Sequence, residues 1–239
     1  MSDNPNFIIE NAALVKYTGP DGDILLPEGL REVGKDAFSG RRDLSGAVVI
    51  PEGVEKIGES AFYDCVNLQS VTLPESLCAI EMLAFLECRS LLEITIPQNV
   101  RTIGCWAFLR CAGLQKITLS GAQTGPEVKS SDPFEEVDAP IVAPNMAVKD
   151  LPAFWKQRAA WGFALERHLY SQERQGEYLK YIKGQRKRLY PLALRQEALL
   201  LLMCGEGMIP EKDVPALLEE AERTGNTAAK QMILDHQRL

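Results

Sequence analysis

Between Ile50 and Ser120 one alternation of apolar and polar residues is written three times. Val71-Thr72-Leu73 and Ile94-Thr95-Ile96 run apolar, polar, apolar over mostly β-branched residues, the pattern of a short strand with one buried face. A proline closes each copy, at Pro51, Pro74 and Pro97, because it has no N–H with which to extend a central ladder. Apolar residues then recur at Val54, Leu77 and Val100 and at Ile57, Ile80 and Ile103, predicted to point back inward. Gly58 and Gly104 suit a tight turn, with Glu81 in that place in the middle copy. The pairs Ala61-Phe62, Ala84-Phe85 and Ala107-Phe108 fit one turn of helix, and Leu68, Leu91 and Leu114 lead into the next strand. A fixed period of about 23 residues specifies a solenoid, since one coil cannot bury these residues and stacked coils share one core. The predicted fold class is an α/β repeat solenoid of short parallel strands plus short helices, about four coils over 24–120.

Outside the repeat the pattern changes. Ile8, Ile9, Leu14, Val15 and Tyr17 flank a turn at Asn11-Ala12, so 1–23 reads as an N-terminal β cap, a hairpin over the first coil's edge. The first coil departs from its successors: Arg41 stands where Cys65, Cys88 and Cys111 stand later, and one extra residue at Ser45-Gly46-Ala47 predicts a bulge. Residues 121–145, rich in Gly, Pro, Ser and Asp, read as a linker, with Phe134 and Ile141 as possible anchors. From Met146 the spacing turns helical and predicts an all-α module of about five helices in hairpins over 146–239. Phe154, Arg158, Trp161, Gly162, Leu165 and Leu169 share one face of the first helix, which makes Trp161 a core residue and leaves Trp155 to pack on the solenoid's end. Tyr178, Tyr181, Ile182 and Leu189 mark the second helix, which Pro191 is expected to interrupt. Leu192–Cys204 predicts a buried third helix, and apolar stripes around Leu217 and Ile233 predict two more.

The run Ile-Pro-Glu-Gly-Val-Glu-Lys-Ile-Gly-Glu-Ser-Ala-Phe-Tyr-Asp-Cys-Val-Asn-Leu at 50–68 resembles the BspA-like (Treponema-type) leucine-rich repeats of bacterial proteins. The resemblance covers about Ile24 to Ser120, with many columns in register. It implies a curved right-handed solenoid with a parallel sheet on one face. It also implies a binding role through protein–protein contact, often at cell surfaces, and carries no catalytic residue with it.

Charge separates the two parts. Residues 1–144 carry a net −10 and residues 145–239 a net +3, so the repeat is acidic and the helical part mildly basic. An acidic solenoid is a poor match for phosphate, and no nucleic acid is expected as its partner. The six cysteines are Cys65, Cys78, Cys88, Cys105, Cys111 and Cys204; three share one repeat column, which favours packed free thiols over disulfides and predicts that all six stay inert until unfolding. No nucleophile, phosphate-loop or zinc motif occurs, and the two histidines, His168 and His236, have no evident partners. Neither enzyme activity, metal nor cofactor is expected.

What remains is surface. The outward strand positions Val49, Thr72, Thr95 and Thr118, with Gln69, Leu92 and Gln115 just before them, form the candidate partner-binding strip. It reads as largely uncharged and bordered by Glu52 and Glu75, and the expected partner is another protein. The alternatives are an enzyme or effector site in the helical module, or an anionic partner, including nucleic acid, at the basic cluster Lys183–Arg188. No apolar run is long enough for a membrane span, and the polar start lacks a signal-peptide pattern. The chain therefore reads as cytoplasmic, whereas the resemblance points to the surface or to secretion.

Overall fold

The computed structural model describes residues 5–121, 127–128 and 131–236. The chain divides into two compact units, 1–139 and 140–239. The first is a β-solenoid. Its strands are β1 (Phe7–Glu10), β2 (Ala13–Tyr17), β3 (Ile24–Leu25), β4 (Glu32–Val33), β5 (Ala47–Val49), β6 (Lys56–Ile57), β7 (Ser70–Thr72), β8 (Ala79–Ile80), β9 (Glu93–Ile96), β10 (Thr102–Ile103), β11 (Lys116–Leu119) and β12 (Glu127–Val128).

Two walls of parallel strands alternate along this list. One wall is a seven-stranded sheet in the order β1-β2-β4-β6-β8-β10-β12. The other carries β3-β5-β7 and the pair β9-β11. The strand pattern of the sequence exposes only the second wall. Strands β4, β6, β8 and β10 are two residues long, too short to show an alternation. The hairpin β1-β2 is antiparallel and turns at Asn11 and Ala12, both at positive φ, as a two-residue hairpin requires. Its second strand already pairs in parallel with β4.

Parallel strands sit about 4.8 Å apart, so equivalent side chains of successive coils stack on one another. The aromatic column shows the consequence. Phe7, Tyr17, Phe38, Phe62, Phe85, Phe108 and Phe134 form a continuous pile with centroid separations of 5.0, 5.2, 4.7, 5.0, 5.0 and 4.8 Å. From Phe38 to Phe134 adjacent rings lie within 14° of parallel. Phe134, in the stretch read as a linker, thus continues the stack beyond Phe108, and Phe108 N–H donates to Pro133 O at 2.7 Å. The rest of that stretch, 122–126 and 129–130, lies outside the described residues.

The Ala-Phe turns are not helical. Each contains two residues in the left-handed region: Ser60 and Asp64, Leu83 and Glu87, Trp106 and Arg110. That conformation costs an L-residue roughly 1–2 kcal/mol. It turns the N–H along the stack instead of back along the chain. Ser60 N–H reaches Met82 O, Asp64 N–H reaches Leu86 O, and Phe62 N–H between them reaches Ala84 O at 2.7 Å. A helical turn would bond within its own coil and leave those groups without the neighbour.

The cysteine column belongs to the same system. Cys65, Cys88 and Cys111 are fully buried, and each thiol donates to the carbonyl of the preceding coil's phenylalanine, at 3.2, 3.2 and 3.0 Å. Arg41, in that column, donates to Tyr17 O at 3.3 Å and Gly19 O at 2.9 Å. It therefore performs the thiol's task on the preceding aromatic residue. The extra residue of this coil is held by two carboxylates: Asp21 accepts Ser45 N–H at 2.7 Å, and Asp23 accepts Ala47 N–H at 2.8 Å. Gly58 and Gly104 are needed for close approach and not for a positive φ, since a Cβ there would lie 2.7 Å from Lys35 N and 2.3 Å from Met82 N.

The second unit holds β13 (Ile141–Val142) and helices α1 (Lys156–Leu165), α2 (Gln172–Ala193), α3 (Glu197–Gly205), α4 (Val214–Arg223) and α5 (Thr227–His236). The face of α1 differs from expectation. Trp155, Ala159, Ala160, Gly162 and Phe163 are buried, while Phe154, Leu165 and Leu169 are exposed and Trp161 is half-buried. The reason is Gly162: a Cβ there would sit 2.1 Å from Ile141 O, so the small residues form the contact face. Phe163 stacks on Tyr178 and meets Tyr170 edge-on, at 5.0 and 5.1 Å. Tyr170 OH accepts Ala143 N–H at 3.0 Å. Pro191 does not break α2. It lies in the last turn, so the bond lost with its N–H and the crowding of the Lys187 carbonyl one turn back both fall near the end of the helix. Helix α3 packs on α1, α2 and α5, and Asn226 caps α5 by accepting Ala229 N–H at 2.9 Å.

Phe85→Ala removes a ring with neighbours on both sides, and is expected to cost about 3–5 kcal/mol in urea unfolding of the full chain. A loss under about 1 kcal/mol would show that the stack is not integral to stability. The thiols should divide into two sets. Burial pushes the Cys65 thiol up to about 12, and Cys88 is raised by burial as well. Cys78 and Cys105 are only half-buried, which corrects the expectation of six inert thiols. A thiol reagent at pH 8 should modify Cys78 and Cys105 in the folded protein, and the other four only after unfolding.

Candidate interaction surface

The outer face of β5, β7, β9 and β11 is built by the strand alternation. Val48, Val71, Ile94 and Ile117 turn inward and are buried, which sends their neighbours out. Val49 pairs in register with Thr72, and Thr95 with Thr118. Val49, Thr72 and Thr95 are exposed and Thr118 is half-buried. Just before them, Leu92 N–H donates to Gln69 O at 3.3 Å and Gln115 N–H to Leu92 O at 2.8 Å, so these three also lie on consecutive coils. All three side chains are exposed. The geometry thus gathers the seven candidate positions on one face.

Two features of this face escape a reading of the repeat alone. Leu25 continues the column beyond Val49, in register with it, and is 69% exposed. Together with Val49 and Leu92, at 38% and 48%, it gives the strip three apolar side chains. A second outward column, Ser70, Glu93 and Lys116, runs beside the threonines. The strip is therefore not largely uncharged: Glu93 and Lys116 face each other across β9 and β11. The signal was present in the period-2 rule, which sends two residues of a four-residue strand outward and not one.

The acidic border is partly occupied. Glu52 accepts Glu75 N–H at 2.9 Å and Ser76 N–H at 3.1 Å, and so ties its own coil to the next. The Glu75 N–H bond, more than any other contact, holds the Glu52 carboxyl below the usual carboxylate range. The other wall is patterned by charge instead. Arg31 pairs with Glu55 at 2.6 Å, Lys56 with Glu32 at 3.1 Å and Lys35 with Glu59 at 2.9 Å, each across adjacent coils.

Neither metal nor catalytic geometry emerges among the described residues. No group of three or more His, Cys, Asp or Glu side chains converges as a metal site would. His168 is exposed, with Glu166 Oε2 3.9 Å away. The basic cluster 183–188 is split: Arg186 turns toward Asp213, at 3.9 Å, whose Oδ2 also accepts Tyr190 OH at 2.8 Å, while Lys183, Lys187 and Arg188 are exposed. No described helix is long and apolar enough to cross a membrane.

A coil of this period, with stacked columns and one open strand face, defines a leucine-rich solenoid. Residues 16–126 match the BspA type leucine rich repeat region in six copies. The match lies within the solenoid and covers somewhat less than half of the chain. Repeats of this type are generally non-enzymatic interaction modules. Among solved structures, the chain is similar to a leucine rich cell surface protein of Faecalibacterium prausnitzii, at 26% identity and a TM-score of 0.49, over 56% of this chain and 35% of that one. It is similar to the pneumococcal vaccine antigen PcpA at 27% identity and a TM-score of 0.46, over 59% and 37%. A leucine-rich repeat protein of T. pallidum aligns at 23% identity and a TM-score of 0.38, over 67% and 88%. The chain spans little more than a third of the length of the first two. No curated protein matches it.

The Glu52 tie has a pH signature. A carboxylate whose folded pKa is lowered contributes stability above its unfolded pKa and loses it as pH falls through the folded value. Urea stability of the full chain should hold level near neutrality and fall below the ordinary carboxylate range. Glu52→Gln keeps one acceptor but no longer titrates, so its acid limb should be shallower than the parent's. Superimposable acid limbs would show that Glu52 does not couple the coils.

Proposed function

We propose that this protein is a non-enzymatic binding module whose partner is another protein, held on the strand face defined by Val49, Gln69, Thr72, Leu92, Thr95, Gln115 and Thr118. The observation that carries the reading is the division of labour in the solenoid. Inward columns are filled by rings, thiols and aliphatic residues stacked on their own kind. The opposite wall is laced by ion pairs between coils. The strand face presents a row of exposed apolar side chains, Leu25, Val49 and Leu92, among hydroxyls and amides; the other exposed large apolar residues of this unit lie on the hairpin, Ile8, Ile9 and Val15, and in the turns, Tyr63 and Trp106. Aliphatic anchors within a polar rim are what a protein interface uses. The negative charges of Glu93, Glu75 and Glu52 favour a partner with basic groups at one edge, where charge sets association rate more than affinity.

The test is capture of the partner from a lysate of the native cells with the intact chain. Leu92→Arg with Thr95→Arg should abolish capture, because both positions are exposed and the fold tolerates them. Lys187→Glu in the second unit should leave capture intact. The reverse result would move the functional surface to the helical unit.

A further inference from the structure

The second unit contains a concavity of about 350 Å³ that the binding role of the solenoid does not use. One face of α2 forms its floor: Glu177, Lys180, Tyr181, Gly184 and Gln185 fall at the spacing of a single helical face. Val148 and Lys149, from a one-turn 3₁₀ segment, and Lys156, at the start of α1, complete the walls. All belong to the same unit.

Three observations converge on this groove. Its cations contrast with six others among the described residues. Arg31, Lys35, Arg42, Lys56, Arg110 and Lys230 each pair with a carboxylate of the chain within 3.1 Å. Lys149, Lys156 and Lys180 enter no ion pair among the described residues, though all three line one cavity. Lys156 instead leans on the main chain, with Nζ 3.5 Å from Lys149 O. The one carboxylate of the lining does not answer them, because Glu177 is engaged by Arg174 at 2.8 Å. The second observation is Gly184. Glycine within a helix costs about 1 kcal/mol against alanine. Here neither a positive φ nor a neighbouring atom requires it, since a Cβ would meet nothing within 4 Å. What its missing side chain does is leave the floor of the groove open. The third is the body of the cavity, where buried Val148 and the half-buried ring of Tyr181 offer apolar surface beneath the ammonium groups.

We infer that this groove binds an amphipathic organic anion, an apolar body with one terminal carboxylate, sulfonate or phosphate, its body on Tyr181 and Val148 and its charge among Lys149, Lys156 and Lys180. The volume falls in the range of small-molecule pockets, and a few placed polar groups over an apolar lining is how such pockets select. The inference stands apart from the strand face and does not depend on it.

The experiment uses the full chain and the fluorescent anion 8-anilinonaphthalene-1-sulfonate. The folded protein should bind it saturably at one site. Octanoate should displace the dye, whereas octanol, which lacks the charge, and inorganic phosphate, which lacks the body, should not. Gly184→Leu places its Cβ in open space and favours the helix, so circular dichroism should be unchanged or slightly more helical. Dye affinity should nevertheless fall at least about tenfold, the equivalent of 1.4 kcal/mol. Lys156→Glu with Lys180→Glu reverses two surface charges and should produce a similar loss, which guards against misfolding of the leucine variant. Undiminished binding by folded Gly184→Leu overturns the inference. So do equal displacement by octanol or by phosphate, and the absence of saturable binding.

Discussion

The solenoid depends on the fixed separation of parallel strands. Once two coils are hydrogen-bonded on both walls, every equivalent pair of side chains is held near 4.8 Å, whatever those side chains are. That distance suits flat rings laid face over face, and the phenylalanine pile keeps separations of 4.7–5.0 Å from Phe38 to Phe134. It also brings a buried thiol within reach of the carbonyl one coil away. Hydrophobic burial and ring contact then reinforce the ladder that placed them. The left-handed residues in the turns follow from the same constraint. Their local cost of roughly 1–2 kcal/mol is offset where an N–H would otherwise lose its partner in the next coil, a penalty of about 1–3 kcal/mol.

Exceptions to the repeat show which parts of a column are necessary. Arg41 has nothing in common with cysteine in size or charge, yet it donates to the Tyr17 carbonyl as the thiols donate to the phenylalanine carbonyls. The requirement in that column is a donor to a buried carbonyl, not a particular side chain. Arg41 reaches further, and its guanidinium also lies 5.1 Å from the centre of the Tyr17 ring and pairs with Asp43 at 2.7 Å. Asp21 and Asp23 act in the same way for the extra residue beside Gly46. Where an insertion interrupts the ladder, carboxylate oxygens replace the carbonyls that are out of reach.

The legibility of the chain follows the strength of these couplings. The strand wall, the inward columns and the solenoid itself were readable, because one period repeats through residues that stack on their own kind. The second wall was not, since a two-residue strand such as Lys56-Ile57 leaves no alternation to detect. The left-handed turns were hidden too. Leu83 and Trp106 are poor candidates for that conformation by residue type, and only their bonds to the neighbouring coil favour it. Phe134 was visible as a phenylalanine but not as a ring of the stack, because the residues around it lack the repeat's other columns. In the helical unit large apolar residues misled. Phe154 and Leu165 suggested a face, but Gly162 and the two alanines set it by letting Ile141 come close. The candidate strip was legible position by position, whereas Leu25, Glu93 and Lys116 required the register of the strands.

The same coupling limits where recognition can be encoded. A change in the ring column acts on two neighbours at once, and its cost is that of a buried aromatic residue, about 3–5 kcal/mol when truncated. A change at an outward strand position touches solvent, and such substitutions usually lie within about 0.5 kcal/mol of neutral. Specificity can therefore be written at Thr72, Leu92 or Thr95 while the fold is held elsewhere. The opposite wall has less freedom, because Glu55 and Glu59 are each matched to a cation of the adjacent coil. The inward columns, the paired wall and the turns are all committed to holding one coil on the next. The strand face alone is spared that task, although its main chain supplies half of the ladder on which every other contact rests.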